Sequence, residues 1–304
     1  MKTRNLLLSL FTFMGLLLIT SCEKDDVATT DQTVTEYAVS DKNFSILVEA
    51  LTKADLAEVL NGSGNFTVFA PTNDAFKALF TQLGVSGISD LSAETLTPIL
   101  LYHVLGTEKK ASMLTSGYYN TLSPSQGNFN SLYVSTEMGV YLNKDTKVVT
   151  ADVDVKNGVI HAIDKVLLPL TVVGQAQSNE SFAILVQAVV KAGLVETLSG
   201  SGPFTVFAPT DEAFQALFTQ LNVNGIADLS AAQLIPILQY HVVSGNVRST
   251  QLSAGSVPTL NGNITVTLGA APAINGNALI ISTDVQASNG VVHVINKVLL
   301  PPTK

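Results

Sequence analysis

Four histidines and one cysteine are the residues of this 304-residue chain best able to do chemistry, and their placement limits what that chemistry is. The histidines come in two matched pairs. Tyr102-His103-Val104 returns as Tyr240-His241-Val242, and His161 returns as His293 inside a second repeated run. A zinc site needs three or four converging ligands. Each copy offers two histidines and no cysteine, with Asp152 and Asp284 as recurring oxygen donors near the second pair. Hydrogen-bonded structural imidazoles are therefore expected, without a metal or cofactor. No Gly-x-Ser-x-Gly elbow marks a hydrolase nucleophile. Paired carboxylates of the glycosidase kind do not recur outside helix-capping positions. The residues point to a protein that is not an enzyme.

The elements that hold these residues are written twice. Phe66-Thr-Val-Phe-Ala-Pro-Thr-Asn-Asp-Ala-Phe76 returns as Phe204-Thr-Val-Phe-Ala-Pro-Thr-Asp-Glu-Ala-Phe214, 138 positions later. So long a period in two copies means tandem domains, since solenoid units run about 20–50 residues. Within each copy Phe66, Val68 and Ala70 alternate as a strand does. Pro71 should end that strand because it has no N–H to give to the ladder. Thr72 then caps a helix whose first turn carries Asn73 and Asp74 and whose buried face is Ala75, Phe76, Leu79 and Phe80. Upstream, Ser40-Asp41 precedes a helical rhythm of Phe44, Leu47, Val48 and Leu51, and Asn61-Gly-Ser-Gly64 breaks it. Ser92 and Ser230 start a further helical segment, with Ser230 and Gln233 forming a capping box. Pro98 and Pro236 predict a kink or restart inside it. The middle of each copy reads as short strands and turns. The close, Asn157-Gly-Val-Ile-His-Ala-Ile-Asp-Lys-Val-Leu-Leu-Pro169, matches Asn289 to Pro301 at an offset of 132, so the copies differ by six residues in the middle. Its Asn-Gly turn leads into a nearly continuous apolar strand, expected to be buried on both faces.

Lys2 and Arg4 followed by the apolar run from Leu6 to Ile19 form an export signal, too short for a spanning helix. The run ends at Cys22, the single cysteine, in a setting that resembles the lipobox of bacterial lipoproteins, whose cysteine is lipidated and becomes the mature first residue. Losing residues 1–21 removes Lys2 and Arg4 and takes the net charge from −8 to −10. Glu23, Asp25 and Asp26 just after Cys22 look like the surface-export signal of Bacteroidota lipoproteins. With one cysteine no disulfide can brace the domains. The acidic balance and the lack of a basic stripe exclude a nucleic-acid partner.

The Thr-Val-Phe-Ala-Pro-Thr opening, the Tyr-His pair and the Asn-Gly-Val-(Ile/Val)-His close occur in order, twice, and resemble fasciclin (FAS1) domains. The resemblance implies an α+β fold in which a wedge of strands packs with several helices. The chain then divides into a signal peptide (1–21), a tether (22–35), a first domain (36–169), a linker (170–177) and a second domain (178–304). It also implies a non-catalytic adhesion or extracellular binding module, lipid-anchored at the outer membrane or cell surface. Its partner would be extracellular matrix, a cell-surface protein or a polysaccharide. In animal members the Tyr-His region is tied to integrin binding, which carries to Tyr102, His103, Tyr240 and His241 as candidate adhesion residues. Two other readings fit the same sequence: a glycan-binding component of a polysaccharide-uptake system, for which the absence of Trp leaves few aromatic platforms, and a structural envelope spacer.

Overall fold

The computed structural model describes residues 31–302. The signal segment, Cys22 and the acidic residues after it lie outside that range. In the first domain a helical cover of α1 (Val34–Ser40), α2 (Ser45–Lys53) and α3 (Ala57–Asn61) precedes β1 (Phe66–Pro71) and α4 (Asn73–Leu83). There follow α5 (Ala93–Tyr102), β2 (Val104–Leu105), β3 (Gly117–Ser125), β4 (Asn128–Ser135), β5 (Tyr141–Leu142), β6 (Thr146–Val155) and β7 (Gly158–Ile163). The second domain repeats this order: α6 (Val172–Ser178), α7 (Ala183–Lys191), α8 (Val195–Ser199), β8 (Phe204–Pro209), α9 (Asp211–Leu221) and α10 (Ala231–Tyr240). Its strands are β9 (Val242–Ser244), β10 (Gly255–Thr259), β11 (Gly262–Thr267), β12 (Ala273–Ile274), β13 (Ala278–Ala287) and β14 (Gly290–Ile295). Among the described residues no helix is long and apolar enough to cross a membrane. The α+β expectation holds.

The repeated opening forms a strand paired on both sides in each domain. β1 runs parallel to β7 and antiparallel to β2. Val68 and Ala70 pack into the cluster beneath the helices, while Phe69 enters a second cluster with Tyr102, Leu132 and Leu142 among the strands. A strand clothed on both faces must be apolar at nearly every position, and every residue of β7 and β14 is likewise buried. Thr72 and Thr210 accept from the N–H of Ala75 and Ala213, so the capped helix follows as its sequence requires. Phe76 and Phe80 are buried on one face of α4, each ring contributing about 2–3 kcal/mol by its removal from water.

A buried asparagine ties the close of each domain to its helical cover. Asn157 accepts from Val34 N–H at 2.9 Å and donates to the carbonyls of Leu60 and Gly62, both at 2.8 Å. Asn289 makes the same three bonds to Val172, Leu198 and Gly200. The next residue must be glycine: Gly158 has φ +147°, and a Cβ there would stand 2.0 Å from the Phe66 carbonyl oxygen.

Three expectations are corrected. The stretch 170–177 is not a linker. It contains most of α6, whose Val172, Val173 and Gln175 are buried as part of the second domain. Correspondingly, the first domain begins before residue 36, with Thr33 capping α1 and Val34 in the core. These helices were missed because each spans seven residues and the two copies share little beyond their buried positions. Nor do Pro98 and Pro236 interrupt α5 and α10. Pro98 leaves the Glu94 carbonyl without its helical donor, but Glu94 lies in the exposed first turn, where water serves instead.

Candidate functional site

The two Tyr-His pairs end α5 and α10, and the direction of those helices drives both side chains inward. Tyr102 is fully buried; its phenol donates to the Ser131 carbonyl at 2.9 Å and accepts from Asn143 Nδ2 at 3.2 Å. Burial pushes that phenol's pKa upward. His103 Nε2 accepts from the Leu167 N–H at 2.9 Å. The proton must then sit on Nδ1, which donates to the Ile99 carbonyl at 2.8 Å. Burial lowers the His103 pKa to about 4, so the ring is neutral. Tyr240 and His241 repeat every bond, to Asn263, Asn275, Leu299 and Ile237, and burial takes His241 to about 4 as well. No side chain of the four is more than 3% exposed. In the folded domain they are out of a partner's reach and serve to anchor the start of β2 and β9 and the segment after β7 and β14.

His161 and His293 are equally committed. His161 lies against Phe69 with ring centroids 5.5 Å apart, and its Nε2 donates to the Lys109 carbonyl at 2.9 Å. Its Nδ1 accepts from the Asp152 N–H at 3.2 Å. Burial holds its pKa below the ordinary value, more strongly than the opposing bond to Lys109 and the charge of Asp152 raise it. Asp152 itself accepts from Ala111 N–H at 2.7 Å, and its carboxylate is 3.9 Å from the imidazole. His293 and Asp284 follow suit against Phe207, Val247 and Ser249. Each imidazole lone pair meets a backbone N–H. Among the described residues no group of three or more His, Cys, Asp or Glu is placed to hold a metal ion.

The two domains meet at a feature that motif reading passed over. The six-residue difference between copies falls wholly in one hairpin. Gly117 and Gly255 are 138 apart, whereas Ser135 and Thr267 are 132 apart. The β3–β4 hairpin runs on to pair Ser125 with Asn128, but β10–β11 already turns at Thr259 and Gly262. The longer arm lies against the second domain. Ser125 Oγ donates to the Ala287 carbonyl at 2.7 Å, and Gln286 N–H donates to Ser131 Oγ at 3.0 Å. Gln175 Nε2, from α6, donates to the Ser131 carbonyl at 2.7 Å, the same oxygen that Tyr102 uses. Tyr118 packs on the second domain's core and accepts from Asn179 Nδ2 at 3.2 Å. Ser131, Gln175 and Gln286 are all at most 1% exposed. With each such bond contributing about 1 kcal/mol, and each buried group costing more if left unpaired, the seam holds the modules in one arrangement. The length difference was the available signal. Its purpose was not readable until the arm was seen across the boundary.

A family profile described as "Fasciclin domain" matches residues 42–169 and 180–301. Protein sll1483 of Synechocystis sp. is 45% identical over 134 residues, covering 44% of this chain and 74% of its own. Transforming growth factor-beta-induced protein ig-h3 of Sus scrofa is 32% identical over 290 residues, which is 91% of this chain and 39% of that protein. The chain thus spans well under half the length of that relative. A solved FAS1 domain pair from the insect cell adhesion molecule fasciclin I aligns over 88% of this chain and 96% of its own, at 20% identity and a TM-score of 0.47.

Proposed function

The chain belongs to the fasciclin family, and on that premise we propose that it is a non-catalytic adhesion or extracellular-binding protein held at the cell surface by a lipid on Cys22. The observation that carries the reading is the joining of two complete fasciclin modules by a buried seam of Ser131, Gln175 and Gln286. A fixed pair presents two module surfaces at one spacing and loses no orientational freedom on engaging a repetitive partner, which is how preorganisation and bivalency raise affinity. The titratable side chains inside each module are bound to backbone groups and act as architecture. Binding must then use the outer surfaces, the module loops and the boundary between the domains.

The tether carries the second half of the proposal. Acyl chains on Cys22 bury enough CH2 groups for stable anchoring when more than one is attached. Labelled palmitate should enter the wild type and be absent from Cys22→Ala, and external protease should cleave the protein on intact cells. Cells displaying it should attach to matrix-coated or cell-coated surfaces better than cells lacking it. Equal attachment by both would refute the adhesion role, and unchanged labelling of Cys22→Ala would refute the anchor.

A further inference from the structure

Where the seam opens to solvent the two domains leave a cleft of about 240 Å3. At about 30 Å3 of liquid volume per water it has room for a pyranose ring. Tyr133, Tyr141 and Met138 come from the β4–β5 side of the first domain, and Glu180 and Ser181 from the segment after α6 in the second. The two tyrosines are half-buried, while Met138 is 86% exposed. Glu137 and Glu180, one from each domain, lie close enough to the Tyr133 phenol to reinforce the upward push that burial gives its pKa. Neither carboxylate is in an ion pair among the described residues.

The second domain shows that the fold does not need these rings. Tyr133 corresponds to Thr265. Asn143 Oδ1 accepts from Tyr133 N–H at 3.1 Å, and Asn275 Oδ1 accepts from Thr265 N–H at 2.8 Å. Tyr141 corresponds to Ala273, in a two-residue strand that pairs onward in the same way. The same ladder therefore stands with or without the aromatics. Of the chain's seven tyrosines, four (Tyr118, Tyr119, Tyr133 and Tyr141) fall on β3 to β5 of the first domain. Tyr118 is used by the seam. Tyr133 packs one side of its ring on Tyr118, with centroids 5.0 Å apart, and Tyr141 lines the cleft where its counterpart is only a methyl group.

We propose that this inter-domain cleft binds a neutral saccharide, which gives the extracellular-binding reading, on which it rests, a class of ligand. Sugar rings offer C–H faces that lie on aromatic rings and hydroxyls that donate to carboxylates. The cleft supplies both, with rings on one wall and Glu137 and Glu180 at either side. A polyphosphate or polyanion would meet two unneutralised carboxylates and the single Lys144 ammonium. An extended peptide would need a free strand edge or a continuous apolar groove. β4 and β5 are both paired on each side, and hydroxyls and carboxylates interrupt the apolar surface.

The test titrates the purified full-length protein, in detergent, with a panel of short neutral oligosaccharides. The companion is Tyr133→Thr/Tyr141→Ala, which installs the second domain's residues in the same strands. At least one oligosaccharide should bind saturably to the wild type, and the double variant should bind it about tenfold more weakly or worse while still melting in a single cooperative transition. Absence of any saccharide binding, equal binding by the variant, or displacement of the sugar by unstructured peptides overturns the proposal. Surface attachment by cells displaying the wild type is scored in parallel. Attachment without saccharide binding overturns the cleft and leaves the adhesion reading standing; saccharide binding without attachment does the reverse.

Discussion

Acidification between pH 7 and 5 should destabilise this protein through His103 and His241. Each ring is held neutral in the core, with Nε2 accepting from a backbone N–H at 2.9 or 2.8 Å. Protonation would turn that acceptor into a donor facing a donor. Burial lowers both folded pKa values to about 4, whereas an unfolded histidine titrates near 6.5. The unfolded chain therefore takes up protons first. The stability tied to neutral imidazole is fully present above pH 6.5 and declines as pH falls from there toward 4, where the folded rings begin to titrate. At pH 5 the difference amounts to about 2 kcal/mol for each histidine relative to pH 7. For domains of this size that is on the order of 10 °C in Tm. His161 and His293, also lowered by burial, act in the same direction. Carboxylates do not confuse the window: Glu36, Glu94 and Glu212 are lowered from 4.5 by their caps, so their contribution is lost only at lower pH. Thermal melts at constant ionic strength between pH 7.5 and 4.8 provide the assay. His103→Gln/His241→Gln should start from a lower Tm and show a visibly flatter decline. A wild-type Tm that stays level over this range, or an imidazole proton signal titrating near 6.5 for either residue, would refute the reasoning.

Three further outcomes follow from packing and hydrogen bonding. Asn289→Ala leaves the buried Val172 N–H and the buried Leu198 carbonyl unpaired, along with the more exposed Gly200 carbonyl, and should cost about 3 kcal/mol by chemical denaturation; a loss under about 1 kcal/mol would mean water replaces the side chain. Beneath α6 and α7 the second domain has a part-open apolar pocket of about 40 Å3 against about 10 Å3 in the first, where Leu51 occupies the position of Val189. Val189→Leu should therefore raise stability by about 0.5–1 kcal/mol, with an unchanged or lower Tm counting against it. Replacing residues 117–135 by the shorter 255–267 hairpin should remove the seam's bonds to Gln286 and Ala287 and resolve one calorimetric transition into two. A single transition in that chimera would show that the arm does not couple the domains.

Much of each module was legible because its determinants are local or repeat at a fixed spacing. Thr72 and Thr210 cap a helix because an Oγ two bonds from the backbone reaches the N–H three residues on, whatever surrounds it. Asn157-Gly158 marks a turn because a left-handed, crowded position admits only glycine. The duplication itself, 138 residues apart, fixed the number of domains and the family. The short helices α1 and α6 were not legible, since seven residues carry too little periodicity and are stabilised by what they cover.

What tertiary structure alone decided is which side of the surface each residue meets. Tyr102-His103 reads the same in sequence whether it is an exposed epitope or a core latch; only the path of α5 places Ser131, Asn143 and Leu167 around it. The six extra residues of the first copy were visible as a length, yet their role depends on a second domain lying beside Ser125 and Ser131. Tyr133, Tyr141, Glu137 and Glu180 are separated by up to 47 positions along the chain and meet because the seam fixes one domain against the other. Local chemistry sets caps, turns and strands. The choice of contact partners belongs to packing, where distance in sequence has no bearing on distance in space.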